Sequence, residues 1–339
     1  MTPGGNMSLV GLIVSLVAQA STPATIPPPV IDMHFHAFGA DTLGPPGSKI
    51  CAPYRTLPAR DPSKGIEDYL IRFNMNPDCA RTYIGAPTDQ ALLSANVRKL
   101  RERNIIAVAS GPAPQVQALV KAAPERVIPA LSFGDSKLPA VEELRRLHSG
   151  GLLKVIGELT FQYGGIAPDD PRIEPYYSLA EELDLPLAIH IGPGPPGVAY
   201  FGAPGYRMRH SNPLALEEVL MRHPKLRLYV MHAGWPMGDE MVALLYAHPH
   251  VYVDTGVIDY AFPRAEFHAY LKRLVEAGFA NRIMFGSDQM IWTEAVDAAI
   301  EGIETADFLS PQQKRDIFYN NAAQFLRLSP EEMSRHRER

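Results

Sequence analysis

The chain has 339 residues, 46% of them apolar and 20% charged, which supplies a large buried core and excludes a disordered, collagen-like or fibrous protein. Its 32 basic and 37 acidic residues leave a net charge of -5 without any long basic run. That balance argues against nucleic acid or an anionic membrane surface as a partner and leaves a small molecule as the expected one.

In chain order, the first feature is Leu9 to Ala20, LVGLIVSLVAQA, which ends in Ala18-Gln19-Ala20 before Ser21. Its twelve residues are too few for a bilayer span, which needs about 20, so no stable membrane span is expected. The small-residue ending suits signal peptidase, and residues 1–20 read as a signal peptide of a periplasmic or secreted protein. The first lysine or arginine is Lys49, so the amino terminus alone supplies the leader's positive charge. The other reading is a buried or disordered terminal segment of a cytoplasmic protein. Residues 21–29, STPATIPPP, read as a stiff proline-rich linker, because proline fixes φ and removes backbone donors.

From Val30 onward, short apolar runs alternate with amphipathic stretches. The predicted strands are Val30 to Met33, Ile105 to Ala109, Val127 to Leu131, Lys154 to Glu158, Pro186 to His190, Arg227 to His232, Val251 to Asp254 and Arg282 to Phe285. Helices are predicted between them, over Gln90–Arg103, Gln115–Ala122, Ala140–His148, Glu174–Leu183, Leu214–Arg222, Gly238–Ala247 and Arg264–Ala277. Strands that are apolar on both faces belong to a parallel sheet covered by helices, and eight alternations predict an α/β fold of the (β/α)8 TIM-barrel type. A doubly wound open sheet is the alternative, although no G-x-G-x-x-G follows the first strand and no P-loop motif is present. Two long insertions, Phe38 to about Thr88 and Gly192 to Asn212, should emerge at the C-terminal face and cover the site. Residues 30–328 thus form one catalytic barrel, and 329–339 a polar C-terminal tail. The cysteines, Cys51 and Cys79, both fall in the first insertion, as two free thiols or as one bridge in an oxidising compartment.

The chemistry is expected where polar residues end barrel strands. His34 and His36 end the first strand in IDMHFHAF, and side chains two apart on an extended segment face the same side. His190 ends strand five, His232 ends strand six, and Asp288 follows strand eight in IMFGSD. One such histidine is ordinary; four with an aspartate on one face match the mixed nitrogen and oxygen set of a catalytic zinc, manganese or iron site. His248 and His250 form a second HxH, but it precedes strand seven at the opposite end and receives no ligand role. Glu158 ends strand four; it could orient a ligand, bind substrate, bridge a second metal, or be a hydrogen-bonded structural carboxylate. Arg207, Arg209 and His210, in the second insertion, are candidates for binding a substrate carboxylate, or are solvated surface charge.

Taken together, IDMHFH, IGELTF, LPLAIHIG, HPKLRLYVMHAGWP, HPHVYVDTG, NRIMFGSD and NNAAQFL resemble the amidohydrolase superfamily, in the amidohydrolase-related branch that includes aminocarboxymuconate semialdehyde decarboxylase. The resemblance covers about Val30 to Leu328. It implies a distorted (β/α)8 barrel with one divalent metal, usually zinc. It makes His34, His36, His190 and Asp288 the ligands, and His232 the residue that activates water or polarises substrate. A bridging lysine common in the superfamily is replaced here by Glu158, which favours one metal over two. Where the branch often has an aromatic residue and proline after GSD, this chain has Gln289-Met290.

The resemblance implies hydrolysis of an amide, ester or lactone by metal-activated water, with Asp288 or His232 as proton acceptor. The alternative is non-oxidative decarboxylation at the same site. A third reading is a metal-binding or sugar-binding protein on an inactive barrel. Oligomeric state is not legible in the sequence; a homodimer is the common state of soluble enzymes.

Overall fold

The structure is a computed structural model that describes residues 1, 26–134 and 138–338. The expected signal peptide and residues 21–25 of the linker lie outside the described residues.

Eight apolar runs form the strands β1 (Val30–His36), β2 (Ile105–Ser110), β3 (Val127–Phe133), β4 (Val155–Leu159), β5 (Leu187–His190), β6 (Leu228–Met231), β7 (Tyr252–Asp254) and β8 (Ile283–Met284). Each pairs in parallel with the next, in sequence order. At the seam between β8 and β1, the Met33 N–H donates to the Phe285 carbonyl at 2.9 Å and the Asp288 N–H to the His34 carbonyl at 2.6 Å. A doubly wound sheet would reverse its strand order, and this one does not, so the fold is a (β/α)8 barrel.

The outer ring comprises α1 (Asp89–Glu102), α2 (Ala113–Ala122), α3 (Val141–Ser149), α4 (Glu174–Glu182), α5 (Glu217–Arg222), α6 (Gly238–Ala247), α7 (Arg264–Leu274) and α8 (Ala295–Glu304). Their apolar faces and the outward strand residues form the main core. Inside the barrel, Ile31, Met33, Ile106, Val108, Val155, Tyr229 and Met231 form a second core. The helix α9 (Asn321–Leu326) brings Ala322, Ala323 and Phe325 to that cluster. Residues 329–339 hold a further helix, α10 (Pro330–Arg337), opened by a capping box of Ser329 and Glu332. Among the described residues no helix is long and apolar enough to cross a membrane.

The first insertion folds as two antiparallel ribbons, Lys49–Cys51 with Thr82–Ile84 and Tyr54–Thr56 with Asp78–Cys79. A Cys51–Cys79 disulfide joins them, so the two thiols are bridged. The insertions meet where the Tyr69 hydroxyl donates to the Pro196 carbonyl at 2.7 Å.

Candidate metal centre

Six polar side chains from five strands converge at the C-terminal mouth, all buried: His34 and His36 on β1, Glu158 on β4, His190 on β5, His232 just past β6 and Asp288 after β8. His36 Nε2 lies 3.0 Å and His34 Nε2 3.6 Å from Asp288 Oδ1. Across the mouth, Glu158 Oε1 is 2.5 Å from His190 Nδ1 and 3.4 Å from His232 Nε2. Its Oε2 is 3.6 Å from His36 Nε2 and 3.9 Å from His34 Nε2. Glu158 therefore sits among all four histidines.

Local irregularities aim these groups. Ile31 and Met33 belong to the inner core and Phe35 to the outer one, whereas strict alternation would place Phe35 inside and His34 outside. The β1–β2 register shifts between Asp32 and Phe35, and this bulge turns His34 and His36 inward. In β4 the register against β5 shifts between Ile156 and Leu159. There Gly157 has φ +152°, and a Cβ on it would collide with Ala188, so Glu158 turns inward only beside a glycine. His232, Ala233, Val257, Asp288 and Met290 all take left-handed φ between 46° and 59°. Such backbone costs about 1–3 kcal/mol per residue and concentrates at functional sites.

A second layer of contacts holds the histidines. His34 Nδ1 faces Asp254 Oδ2 at 3.2 Å, and His232 Nδ1 donates to the Gly256 carbonyl at 2.9 Å. His36 has Ser110 Oγ 3.2 Å from its Nδ1, while the buried Gln289 amide pairs with its backbone, accepting from N–H at 2.9 Å and donating to the carbonyl at 2.7 Å. Phe38 stacks on His36 at 4.2 Å, and Tyr163 packs on His190 at 5.1 Å. Phe38 also lines a cavity of about 290 Å³ with Leu92, Leu93, Gln115 and Leu119.

Burial opposes every charge here, and the neighbours decide the outcome. At His34 burial is outweighed by the Asp288 and Asp254 carboxylates, which hold its pKa well above the usual histidine value. Burial at His232 is outweighed by its bond to Glu158, so it also rises. His190 falls, because burial and the adjacent His232 outweigh Glu158. Both acids end low: burial is overcome at Glu158 by hydrogen bonds from His190, His232 and His34, and at Asp288 by His34 and His36.

The donor set fits a divalent metal ion. His34 Nε2 and His190 Nε2 are buried with no hydrogen-bond partner, which buried polar atoms seldom tolerate. A tetrahedral shell with bonds of about 2.0–2.1 Å separates its donors by about 3.3 Å, and the two His–Asp288 separations bracket that value. His34, His36 and Asp288 form one group able to hold a metal, and His34, Glu158 and His232 another.

The structure thus brings together His34, His36, His190, His232, Asp288 and Glu158. Arg207 and Arg209 are exposed, and Arg207 donates to the carbonyls of Pro204 and Tyr206 at 2.8 and 2.7 Å. Among the described residues, no recorded hydrogen bond or ion pair joins Arg207, Arg209 or His210 to the histidines. The second insertion reaches the site instead through Tyr206, whose ring packs on Tyr163 at 5.5 Å. Sequence reasoning did not single out Asp254, although it ends a predicted strand as the chosen residues do, nor assign Gln289 a role.

The fold is shared with solved structures of low identity. A probable 2-pyrone-4,6-dicarboxylic acid hydrolase from Acinetobacter baumannii is 15% identical, with 88% of this chain and 99% of that one covered at a TM-score of 0.55. A 2,6-dihydroxybenzoate decarboxylase is 14% identical, with 90% and 99% covered at 0.51. An amidohydrolase from Burkholderia multivorans with bound zinc is 17% identical, with 70% and 88% covered at 0.50. The sequence finds no match among curated proteins. The amidohydrolase family model matches residues 31–328, nearly the whole barrel, and the chain belongs to that family.

Proposed function

We propose that the protein hydrolyses an amide, ester or lactone bond of a small molecule, with His34, His36, His190 and Asp288 as ligands of one divalent metal ion, zinc ahead of manganese or iron. The observation that carries this reading is the buried, bare His34 Nε2, 3.6 Å from Asp288 Oδ1 and 3.9 Å from Glu158 Oε2 in a centre that His36 and His190 also enter. When bound, such a metal lowers the pKa of water toward about 7 and polarises a carbonyl.

Hydrolysis removes a proton from the attacking water and returns one to the leaving oxygen or nitrogen. Asp288 and His232 are the groups in place for these transfers. Asp288 Oδ2 lies 3.9 Å from His232 Nδ1, away from the Oδ1 that faces His36. His232 is held through Nδ1 by the Gly256 carbonyl, which turns its Nε2 toward His190 Nδ1 at 2.9 Å and Glu158 Oε1 at 3.4 Å. Glu158 orients His190 through Nδ1. Phe38 and Tyr163 wall the site.

The test is turnover of a panel of lactones, esters and amides by metal-reconstituted protein, read by mass spectrometry as addition of one water. His34→Ala and Asp288→Ala should abolish turnover with the fold intact; unchanged activity in both sinks the proposal. Non-oxidative decarboxylation is the second reading, because the decarboxylase of like fold aligns over 99% of its length. Release of CO2 from aromatic or enoic acids, without addition of water, would select it.

Export is part of the proposal, supported by the leader composition and the Cys51–Cys79 bridge, since disulfides persist in oxidising compartments. A mature amino terminus at Ser21, read by sequencing the secreted or periplasmic protein, would establish it; an intact terminus in the cytosol would overturn it.

A further inference from the structure

The segment that follows β7 makes an unusual number of contacts with histidines from other strands. Asp254 is fully buried. Its Oδ1 accepts from the Gly256 N–H at 2.9 Å, the His232 N–H at 3.1 Å and His34 Nδ1 at 3.3 Å, and its Oδ2 lies 3.2 Å from the same ring nitrogen. Two residues on, the Gly256 carbonyl receives His232 Nδ1 at 2.9 Å. Gly256 also lies flat against His34: a Cβ there would collide with the ring at Nδ1. On another side of the same histidine, a Cβ on Gly286 would stand 2.7 Å from His34 Cβ.

These contacts dictate where ring protons sit. A carbonyl oxygen only accepts, so His232 must carry its proton on Nδ1. A carboxylate also only accepts, so His34 facing Asp254 must do the same. The tautomer of a histidine is set by the hydrogen bond its other nitrogen makes. Both rings then turn Nε2 inward, and at His34 that nitrogen is the buried one without a partner.

We propose that Asp254 and Gly256 act together as a positioning bracket that fixes His34 and His232 as Nδ1–H tautomers and aims both Nε2 atoms at the centre. Asp254 sets the proton position on His34, the Gly256 carbonyl sets it on His232, and the missing side chain of Gly256 makes room for the His34 ring. One short segment thereby coordinates strands β1 and β6, which are not neighbours in the sheet. The consequence for metal affinity rests on the ligand reading above; the consequence for the tautomers does not.

The truncation Asp254→Ala separates the possibilities. It removes both oxygens near His34 Nδ1 and leaves the Gly256 carbonyl that holds His232. With no acceptor at Nδ1, and with Asp288 and Glu158 oxygens 3.6 and 3.9 Å from Nε2, His34 should switch its proton to Nε2 while His232 keeps Nδ1–H. Tautomers are read on metal-free, ¹⁵N-histidine-labelled protein at alkaline pH by long-range proton–nitrogen correlation. Zinc affinity is read by competition with a chelating dye and should weaken about 10–100-fold in the variant, the range for loss of a partner behind a ligand. Leu220→Ala, which trims a buried residue of α5 far from these contacts, should lose stability yet keep zinc affinity. Gly256→Ala gives a second test, weakening zinc binding while leaving His34 on Nδ1–H.

An Nε2–H tautomer at His34 or His232 in the unmutated protein would overturn the bracket. So would an Asp254→Ala protein whose His34 tautomer is unchanged. Expected tautomers in a protein that takes up no zinc would leave the bracket standing and refute the metal reading instead.

Discussion

Gln289 offers a sharp test of how the site is built, because one buried side chain replaces a rung of the sheet. Its Oε1 accepts from the His36 N–H at 2.9 Å and its Nε2 donates to the His36 carbonyl at 2.7 Å, across the seam where the barrel closes. Gln289→Met keeps similar length and removes both partners. Each buried backbone group left unpaired costs about 1–3 kcal/mol, so the two together should cost about 2–6 kcal/mol. Met adds an apolar end to a fully buried position and recovers only part of this. Urea unfolding should show a lower midpoint at unchanged slope. Metal retention should fall with it, since His36 Nε2 is one of the proposed donors. The control is Gln312→Met on an exposed helix face, expected within about 0.5 kcal/mol of the unmutated protein. A Gln289→Met protein as stable as that control would refute the argument that the amide clamps His36.

Replacing both cysteines with serine removes a bridge that spans 28 residues, worth about 3–4 kcal/mol by chain entropy. The urea midpoint should fall by the equivalent amount, and dithiothreitol should reproduce the effect in the unmutated protein; no response to either would contradict the bridge. At the opposite end of the barrel, Asn104 takes a left-handed φ of 49°. Its side chain donates to the carbonyls of Pro27 at 2.9 Å and His336 at 3.3 Å and accepts from Arg126 at 3.0 Å. Asn104→Ala should therefore raise hydrogen exchange in α10 and in residues 26–30 while leaving β4 protected; unchanged exchange in α10 would show that its docking does not depend on Asn104.

The barrel was legible because strands buried on both faces carry unbroken apolar runs, and all eight were found with ends displaced by at most three residues. The largest displacement is at β1, predicted to stop at Met33 but continuing to His36 because its ladder with β2 runs on to Ser110. The convergence of His34, His36, His190, His232 and Asp288 was also legible, since parallel strands deliver their C-terminal ends to one face. What alternation could not reveal was which side His34 and Glu158 would face. That is decided by register shifts against neighbouring strands, and a bulge leaves no periodic trace in its own strand. Asp254 and Gln289 were obscured for a related reason. Their partners, His34 and His36, lie 220 and 253 residues away, and only closure of the barrel makes them adjacent. Arg207 and Arg209, the candidate partners of a substrate carboxylate, lie exposed on the loop whose Tyr206 packs on Tyr163.

The central claim is that four side chains from strands β1, β5 and the end of β8 hold a metal ion. Elemental analysis of the purified protein, beside a variant carrying His190→Ala and Asp288→Ala, tests it most directly. The account predicts about one zinc, manganese or iron per chain, lost in the variant while the barrel still unfolds cooperatively. A protein that carries no metal and takes none up on reconstitution with any of the three would contradict it.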